Sequence, residues 1–219
     1  MSFFTHLIDL IFPPRASTVL VRSATFPLLS ALLAPKIVMV ENVSVVALLP
    51  YRTPLVQALI VAAKYENDRK AQELLGEVLA TYIKERIKKW GSIVIVPLPL
   101  GKARRKARGY NQVEEIAKCT ARHIGAGTKN LVQSDLLVRV HETVPQTSLG
   151  RMARKENMRH AFAVPARIGE KAHGSGSMDS SLTYLLLDDV LTTGATLAAA
   201  HAALLKAGAK HVIVLALAH

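Results

Sequence analysis

Along the chain the apolar positions change period several times, and each change marks an element. Phe3, Phe4, Leu7, Leu10 and Ile11 recur at helical spacing until Pro13 and Pro14 stop them. Lys36–Val40 and Val43–Leu48 are rich in β-branched residues and predict a hairpin around Glu41 and Asn42. Thr53–Lys64 (TPLVQALIVAAK) reads as a helix with Pro54 in its first turn. Asp68 then caps a long helix running to Trp90, with Leu74, Leu75, Val78, Leu79, Tyr82, Ile83 and Ile87 along one side and Gly91 at its end. Ser92–Val96 is a short continuous apolar run, the pattern of a strand buried on both faces of a parallel sheet. A basic, glycine-containing loop follows, then a helix over Gln112–Ile124 and strands at Leu136–Val140 and Ala161–Val164. Residues 169–181 read as a linker. Thr183–Leu187, Ala195–Lys206 and His211–Leu217 give strand, helix and strand, a βαβ unit. The expected fold is α/β, a parallel sheet flanked by helices over residues 51–219, with residues 1–50 as a small N-terminal appendage.

Composition narrows the class. Half of the 219 residues are hydrophobic, which excludes disorder over most of the chain. Cys119 is the only cysteine, so neither a disulfide scaffold nor a cysteine-rich metal cluster can form, and a reducing, cytoplasmic setting fits. The apolar stretch Phe26–Leu49 is interrupted by Pro35, Lys36, Glu41 and Asn42, and the N-terminus lacks a basic region and a small-residue cleavage site. A soluble protein with no membrane span is expected. The eight histidines show no metal-ligand spacing. Lys64 reads as a charge at a helix C-terminus rather than a site residue.

The formal charge is +12, and residues 101–160 hold most of it, with 13 Lys+Arg against 5 Asp+Glu. Such a concentration calls for an anionic partner, either the phosphates of a small ligand or a nucleic-acid backbone. Only Tyr110 and Phe162 lie among these charges, whereas single-strand binders interleave aromatic platforms with them. The balance leans toward phosphate.

The densest chemical signal is Leu185–Thr196, LLLDDVLTTGAT. A buried strand runs into Asp188 and Asp189, and Thr192, Thr193, Gly194, Ala195 and Thr196 then open a helix. In open α/β sheets ligands bind beyond the carboxyl ends of the strands. A helix N-terminus with free N–H groups and hydroxyls suits phosphate, and the two carboxylates are placed to accept from vicinal sugar hydroxyls. A 5′-phosphorylated ribose satisfies both halves. These residues resemble the PRPP-binding motif of type I phosphoribosyltransferases, PRPP being 5-phosphoribosyl 1-pyrophosphate.

Two further segments sharpen the likeness. VPLPLGKARRKARGYNQ, Val96–Gln112, is similar to a segment of the ComF family of competence-associated, phosphoribosyltransferase-like proteins. So is the order Arg139, Thr143, Gln146, Arg151, Arg154, Asn157, Phe162, and LIDLIFPPR resembles the segment that opens those proteins. Family members commonly continue into a cysteine-rich zinc ribbon. Here Ala16 follows and no cysteine precedes Cys119, so residues 16–50 cannot bind zinc in that manner.

The resemblance implies a type I phosphoribosyltransferase-like, Rossmann-type fold that binds PRPP with Mg²⁺ and transfers phosphoribose to an acceptor the sequence does not identify. It implies that Asp188 and Asp189 serve catalysis and that Pro99, Leu100, Arg104, Arg108 and Gly109 receive pyrophosphate. Arg139, Gln146, Arg151, Arg154 and Asn157 would belong to a flap over the site, the alternative for that stretch being a fixed surface helix. Mg²⁺ would be held mainly by ligand oxygens, with no protein ligand assigned. Asn111 is either a ligand contact or the N-cap of the helix at 112–124. Two other functional readings stay open: a catalytically idle, nucleotide-sensing module, and a DNA-handling competence protein that binds single strands through residues 101–160.

Overall fold

The structure is a computed structural model that describes residues 15–125, 131–140, 161–165 and 178–219. The N-terminal helix expected over Phe3–Ile11, the flap positions Gln146, Arg151, Arg154 and Asn157, and most of the expected linker lie outside those residues.

Two short helices, α1 (Ala16–Ser23) and α2 (Phe26–Ser30), lead into the hairpin β1 (Lys36–Val40) and β2 (Val43–Leu49). Then come α3 (Pro54–Val61), a π turn (Ala62–Glu66), α4 (Arg69–Lys84), α5 (Ile87–Trp90) and β3 (Ile93–Pro97). Helices α6 (Lys102–Arg108) and α7 (Gln112–Ile124) follow, then β4 (Val138–Arg139), β5 (Phe162–Ala163), β6 (Thr183–Val190), α8 (Ala195–Lys206) and β7 (His211–Ala218). The main sheet has five strands in the order β1-β2-β7-β6-β3. It is parallel throughout except for β1, which pairs antiparallel with β2 in the expected hairpin register. Residues 36–49 are therefore strands of the main sheet, β2 running parallel to β7. The fold is α/β, and its sheet is mixed.

Strand burial explains the continuous apolar runs. Leu185 and Leu187 of β6 enter one core with α3, α4 and α7, while Tyr184 and Leu186 enter a second with α8. Ile93 and Ile95 of β3 alternate with Val94 and Val96 in the same way. Both faces are covered, so the period-2 polar signal vanishes. Each fully buried leucine contributes roughly 1.5–3 kcal/mol. Helices α4 and α7 approach closely where a Cβ on Gly76 would meet that of Cys119 at 2.5 Å, and Thr120 Oγ1 donates to Gly76 O across the contact at 3.2 Å. Cys119 is a buried packing residue, its thiol pushed up chiefly by burial.

Several boundaries differ from expectation for identifiable reasons. The long helix stops at Lys84 instead of running to Trp90. Arg86 turns back, donates to Tyr82 O at 3.1 Å and lies 3.8 Å from the centre of the Tyr82 ring, ending the helix in the manner of a C-terminal cation. Trp90 still packs at that end, 5.9 Å from Tyr82. The basic segment after β3 is helical over Lys102–Arg108 rather than a loop. Strands β4 and β5 shrink to a separate two-stranded sheet. Strand β6 extends to Val190, beyond the expected end at Leu187, so the acidic pair is part of the strand. Among the described residues no helix is long and apolar enough to cross a membrane.

Candidate functional site

Strand alternation sends the two carboxylates of β6 to opposite faces. Asp189 follows Leu185 and Leu187 toward the core of α3, α4 and α7, and it is only 5% exposed. Its Oδ1 lies 2.9 Å from Lys64 Nζ, and its Oδ2 accepts from Gln112 Nε2 at 2.5 Å. Gln112 Oε1 in turn accepts from an Arg108 Nη1 at 2.9 Å, and the Arg108 guanidinium sits 4.8 Å from the Tyr65 ring centre. One chain of polar contacts thus links the π turn, β6, α7 and α6. Lys64 is a basic residue in the last turn of its helix, as expected, and it also pairs with Asp189 and lines the same cavity, a contact that reading did not include.

The π turn explains the difference. It widens the helix by one residue and rotates the residues beyond it by about 100°, a phase shift that a 3.6-residue period does not register. The turn is anchored from both sides. Tyr110 Oη donates to Ala63 O at 2.8 Å and accepts from Asn67 N at 2.9 Å. Asn67 closes the turn at φ 50°, and its side-chain oxygen accepts from Gln72 at 2.9 Å.

Asp188 faces the other way. Its Oδ1 accepts the Asp189 amide at 2.8 Å, and no other hydrogen bond engages it among the described residues. Burial and then the adjacent Asp189 charge push its carboxyl up to about 7, offset in part by Asp189's amide, Lys64 and Arg104. The Asp188 carboxyl therefore keeps its proton to a higher pH than an ordinary aspartate.

Beyond β6, Leu191 N donates to Ala218 O and the chain turns through exposed Thr192 and Thr193 into α8. Gly194 stands at the N-cap with φ 72° and no side-chain cap, leaving N–H groups of the first turn free of an intrahelical partner. A Cβ there would meet the Val40 side chain at 2.5 Å, so β1 buttresses this turn directly. Backbone conformation and steric contact both demand glycine.

These parts surround a cavity of about 450 Å³. Of the expected site residues, Asp188, Asp189, Thr192, Thr196, Pro99, Leu100, Arg104, Arg108 and Arg139 line it. Gly101, expected together with Gly109 to free the backbone of the phosphate loop, lines it too, as do Lys64, Tyr51, Gln112, Leu98 and Val190, to which the sequence assigned no part in the site. Thr193, Gly194 and Ala195 belong to the same turn but not to the lining, and Gly109 is the left-handed residue ending α6, at φ 77°. Arg139 of β4 packs over Gly101 and lies 5.6 Å from the Phe162 ring centre. Asn111 resolves as structure: its Oδ1 caps α7 at Val113 N, and its Nδ2 donates to Leu98 O, fixing the loop from Leu98 onward. A second cavity, of about 480 Å³, lies against Tyr82, Arg86 and Trp90, but its carboxylate, Glu85, is already paired with Arg86.

Among the described residues no cluster of three or more His, Cys, Asp or Glu could hold a metal by itself. A cavity lined by two carboxylates, three arginines and the Thr192 and Thr196 hydroxyls at a helix N-terminus can receive anionic groups and sugar hydroxyls together.

No protein-family model matches the chain. It is 30% identical over 124 residues to Competence protein F of Haemophilus influenzae, a match that covers 57% of this chain and 49% of that protein. It is 31% identical over 120 residues to DNA utilization protein YhgH of Salmonella typhi and of Salmonella typhimurium, covering 55% of this chain and 46% of those proteins. The matches thus span about half the length of these relatives. The names of these relatives agree with the ComF-type resemblance read from the motifs.

Proposed function

We propose that the cavity binds PRPP together with Mg²⁺ and that the protein transfers phosphoribose to an acceptor with release of pyrophosphate. The observation that carries this reading is the convergence, in one cavity, of the Asp188–Asp189 pair, the Thr192–Thr196 helix entrance and the cations Arg104, Arg108 and Arg139. The 5′-phosphate sits at the start of α8, where Thr192 and Thr196 hydroxyls and first-turn N–H groups receive it. Asp189 is held by Lys64 and Gln112, which leaves Asp188 as the carboxylate offered to the ribose hydroxyls. Pyrophosphate lies toward Pro99–Gly101 and the arginines, whose forks match phosphate oxygens.

In the reaction the bond from C1 to the pyrophosphate oxygen breaks and its electron pair leaves with pyrophosphate. A lone pair of the acceptor forms the new bond at C1. Positive charge grows on the ribose near the acidic pair, and negative charge grows on the leaving group near the arginines. The donor set fits Mg²⁺ in a limited way: two carboxylates and, among the described residues, no third protein oxyanion leave most coordination positions to ligand oxygens. When bound, the ion would neutralise the leaving group.

Isothermal titration with PRPP and Mg²⁺ tests the reading. Saturable binding that is lost in Asp188→Asn/Asp189→Asn is expected, and no binding by the intact protein refutes it. Acceptor-dependent release of pyrophosphate across bases, amines and ammonia separates a transferase from an idle, nucleotide-sensing module.

The names of the relatives favour a second reading, DNA handling in competence. Lys102, Arg104, Arg105 and Lys106 of α6 are exposed along one short helix beside the cavity. Binding through them is dominated by phosphates, so its logarithm falls against log salt by about 0.7 per contact on a single strand. A gel-shift series without binding at low salt removes this reading.

A further inference from the structure

The five-stranded sheet ends at β1, and among the described residues no strand pairs with its outer edge. Proteins guard such edges with inward-pointing charges, proline or bulges. The strand KIVMV carries no proline or bulge, and its single guarding charge, Lys36, stands at one end. Ile37 and Met39 share a face and are 72% and 62% exposed. The turn at Glu41–Asn42 closes on the Val40–Val43 pair, so Val40, Val38 and Lys36 bond to β2. The main-chain N–H and C=O groups of Ile37 and Met39 consequently face outward.

We propose that this edge joins two copies of the chain, β1 pairing antiparallel with β1 of the second copy about Val38 and merging the two sheets into one. In that register Ile37 lies opposite Met39 of the second copy, and Met39 opposite its Ile37. The same two residues then supply four main-chain hydrogen bonds and two apolar cross-strand pairs. The contact is two-fold and self-complementary, the geometry of a closed dimer.

Charge selects the occupant. Lys36 begins the strand and Glu41 follows its last residue, so antiparallel pairing sets the Lys36 of each copy diagonally beside the Glu41 of the other. Parallel pairing would set Lys36 beside Lys36. A foreign strand of one charge sign gains at one end what it loses at the other, whereas a second copy matches both ends.

Sedimentation velocity of the full chain over a concentration series tests this, with two variants. Ile37→Lys/Met39→Lys places like charges opposite each other in both cross-strand pairs, and the dimer is expected to dissociate. Ile37→Lys/Met39→Glu places opposite charges in both pairs and is expected to remain dimeric, with a circular-dichroism spectrum like that of the first variant. A wild type that sediments as a monomer at every concentration overturns the proposal. So does a double-lysine variant that stays dimeric, or a lysine–glutamate variant as monomeric as the double-lysine one.

Discussion

Replacing Asp188 by asparagine is expected to make the protein more stable while removing the proposed PRPP binding. Asparagine keeps the shape and an oxygen that can accept the Asp189 amide. What disappears is a half-buried charge beside another. The sign follows from the raised carboxyl, at about 7 in the fold and near 3.9 in an unfolded chain. Below about 4 both states hold the proton and nothing is lost. Between about 4 and 7 the unfolded chain has released its proton and the folded one has not, so stability falls as pH rises, by about 1.4 kcal/mol per pH unit at most. Between about pH 5 and 7 the wild type therefore loses up to roughly 3 kcal/mol that the variant keeps. For a chain of this size, about 2–4 °C per kcal/mol converts that loss to a melting-temperature gap wider by about 5–10 °C. Differential scanning calorimetry of both proteins across that range reads the gap directly, and subtraction cancels histidines and other groups that titrate alike in both. A gap that stays constant with pH, or a variant less stable than wild type near pH 8, refutes the assigned burial and charge of Asp188.

Lys64→Met leaves Asp189 without the ammonium 2.9 Å away; because Lys64 is partly exposed, a loss of about 2 kcal/mol is expected in urea unfolding, below the 3–5 typical of a fully buried pair. Gly194→Ala is expected to cost about 1–3 kcal/mol, since it combines a positive φ with a clash on Val40. Adding Val40→Ala should relieve only the steric part, which thermal melts of the single and double variants can resolve. Asn111→Ala removes both the α7 cap and the bond to Leu98 O, and about 2 kcal/mol should be lost in the same assay. Arg104→Ala should weaken PRPP binding at least about tenfold by titration calorimetry, as expected of a charge-assisted contact, with little change in melting temperature because the side chain is exposed.

Much of the fold was legible because its strands are short apolar runs and its helices carry caps. The hairpin at Glu41–Asn42, the Asp68 cap, α7, α8 and the β6-α8-β7 unit all appear where periodicity and capping put them. The misplaced boundaries have local causes that hydrophobic spacing does not register. Apolar spacing from Leu74 to Ile87 continues past Lys84, yet Arg86 captures the Tyr82 carbonyl and ends the helix. KARRKAR has no apolar face, so hydrophobic periodicity could not announce a helix there. Nor could composition show that residues 36–49 join the main sheet, because strand pairing is a long-range property.

The site divides along the same line. Residues contiguous in sequence, from Asp188 to Thr196, were found together because one strand–turn–helix positions them all. Lys64 was not, although it sits 125 positions before Asp189 in the chain and 2.9 Å from it in space. Its identity as a partner depends on the π turn, whose signal, Ala-Ala-Lys-Tyr-Glu before a left-handed asparagine, is not distinctive without Tyr110 arriving from α6–α7 to hold it. The same contact explains why the RGYNQ segment carries so much of the resemblance. Arg108 reaches Gln112, Tyr110 anchors the π turn, Asn111 caps α7 and holds Leu98, and Gln112 binds Asp189. Four of its five residues thus set the shape and charge of the cavity by holding other residues in place, and Arg108 and Gln112 also line it. A motif can mark a site without being its chemistry.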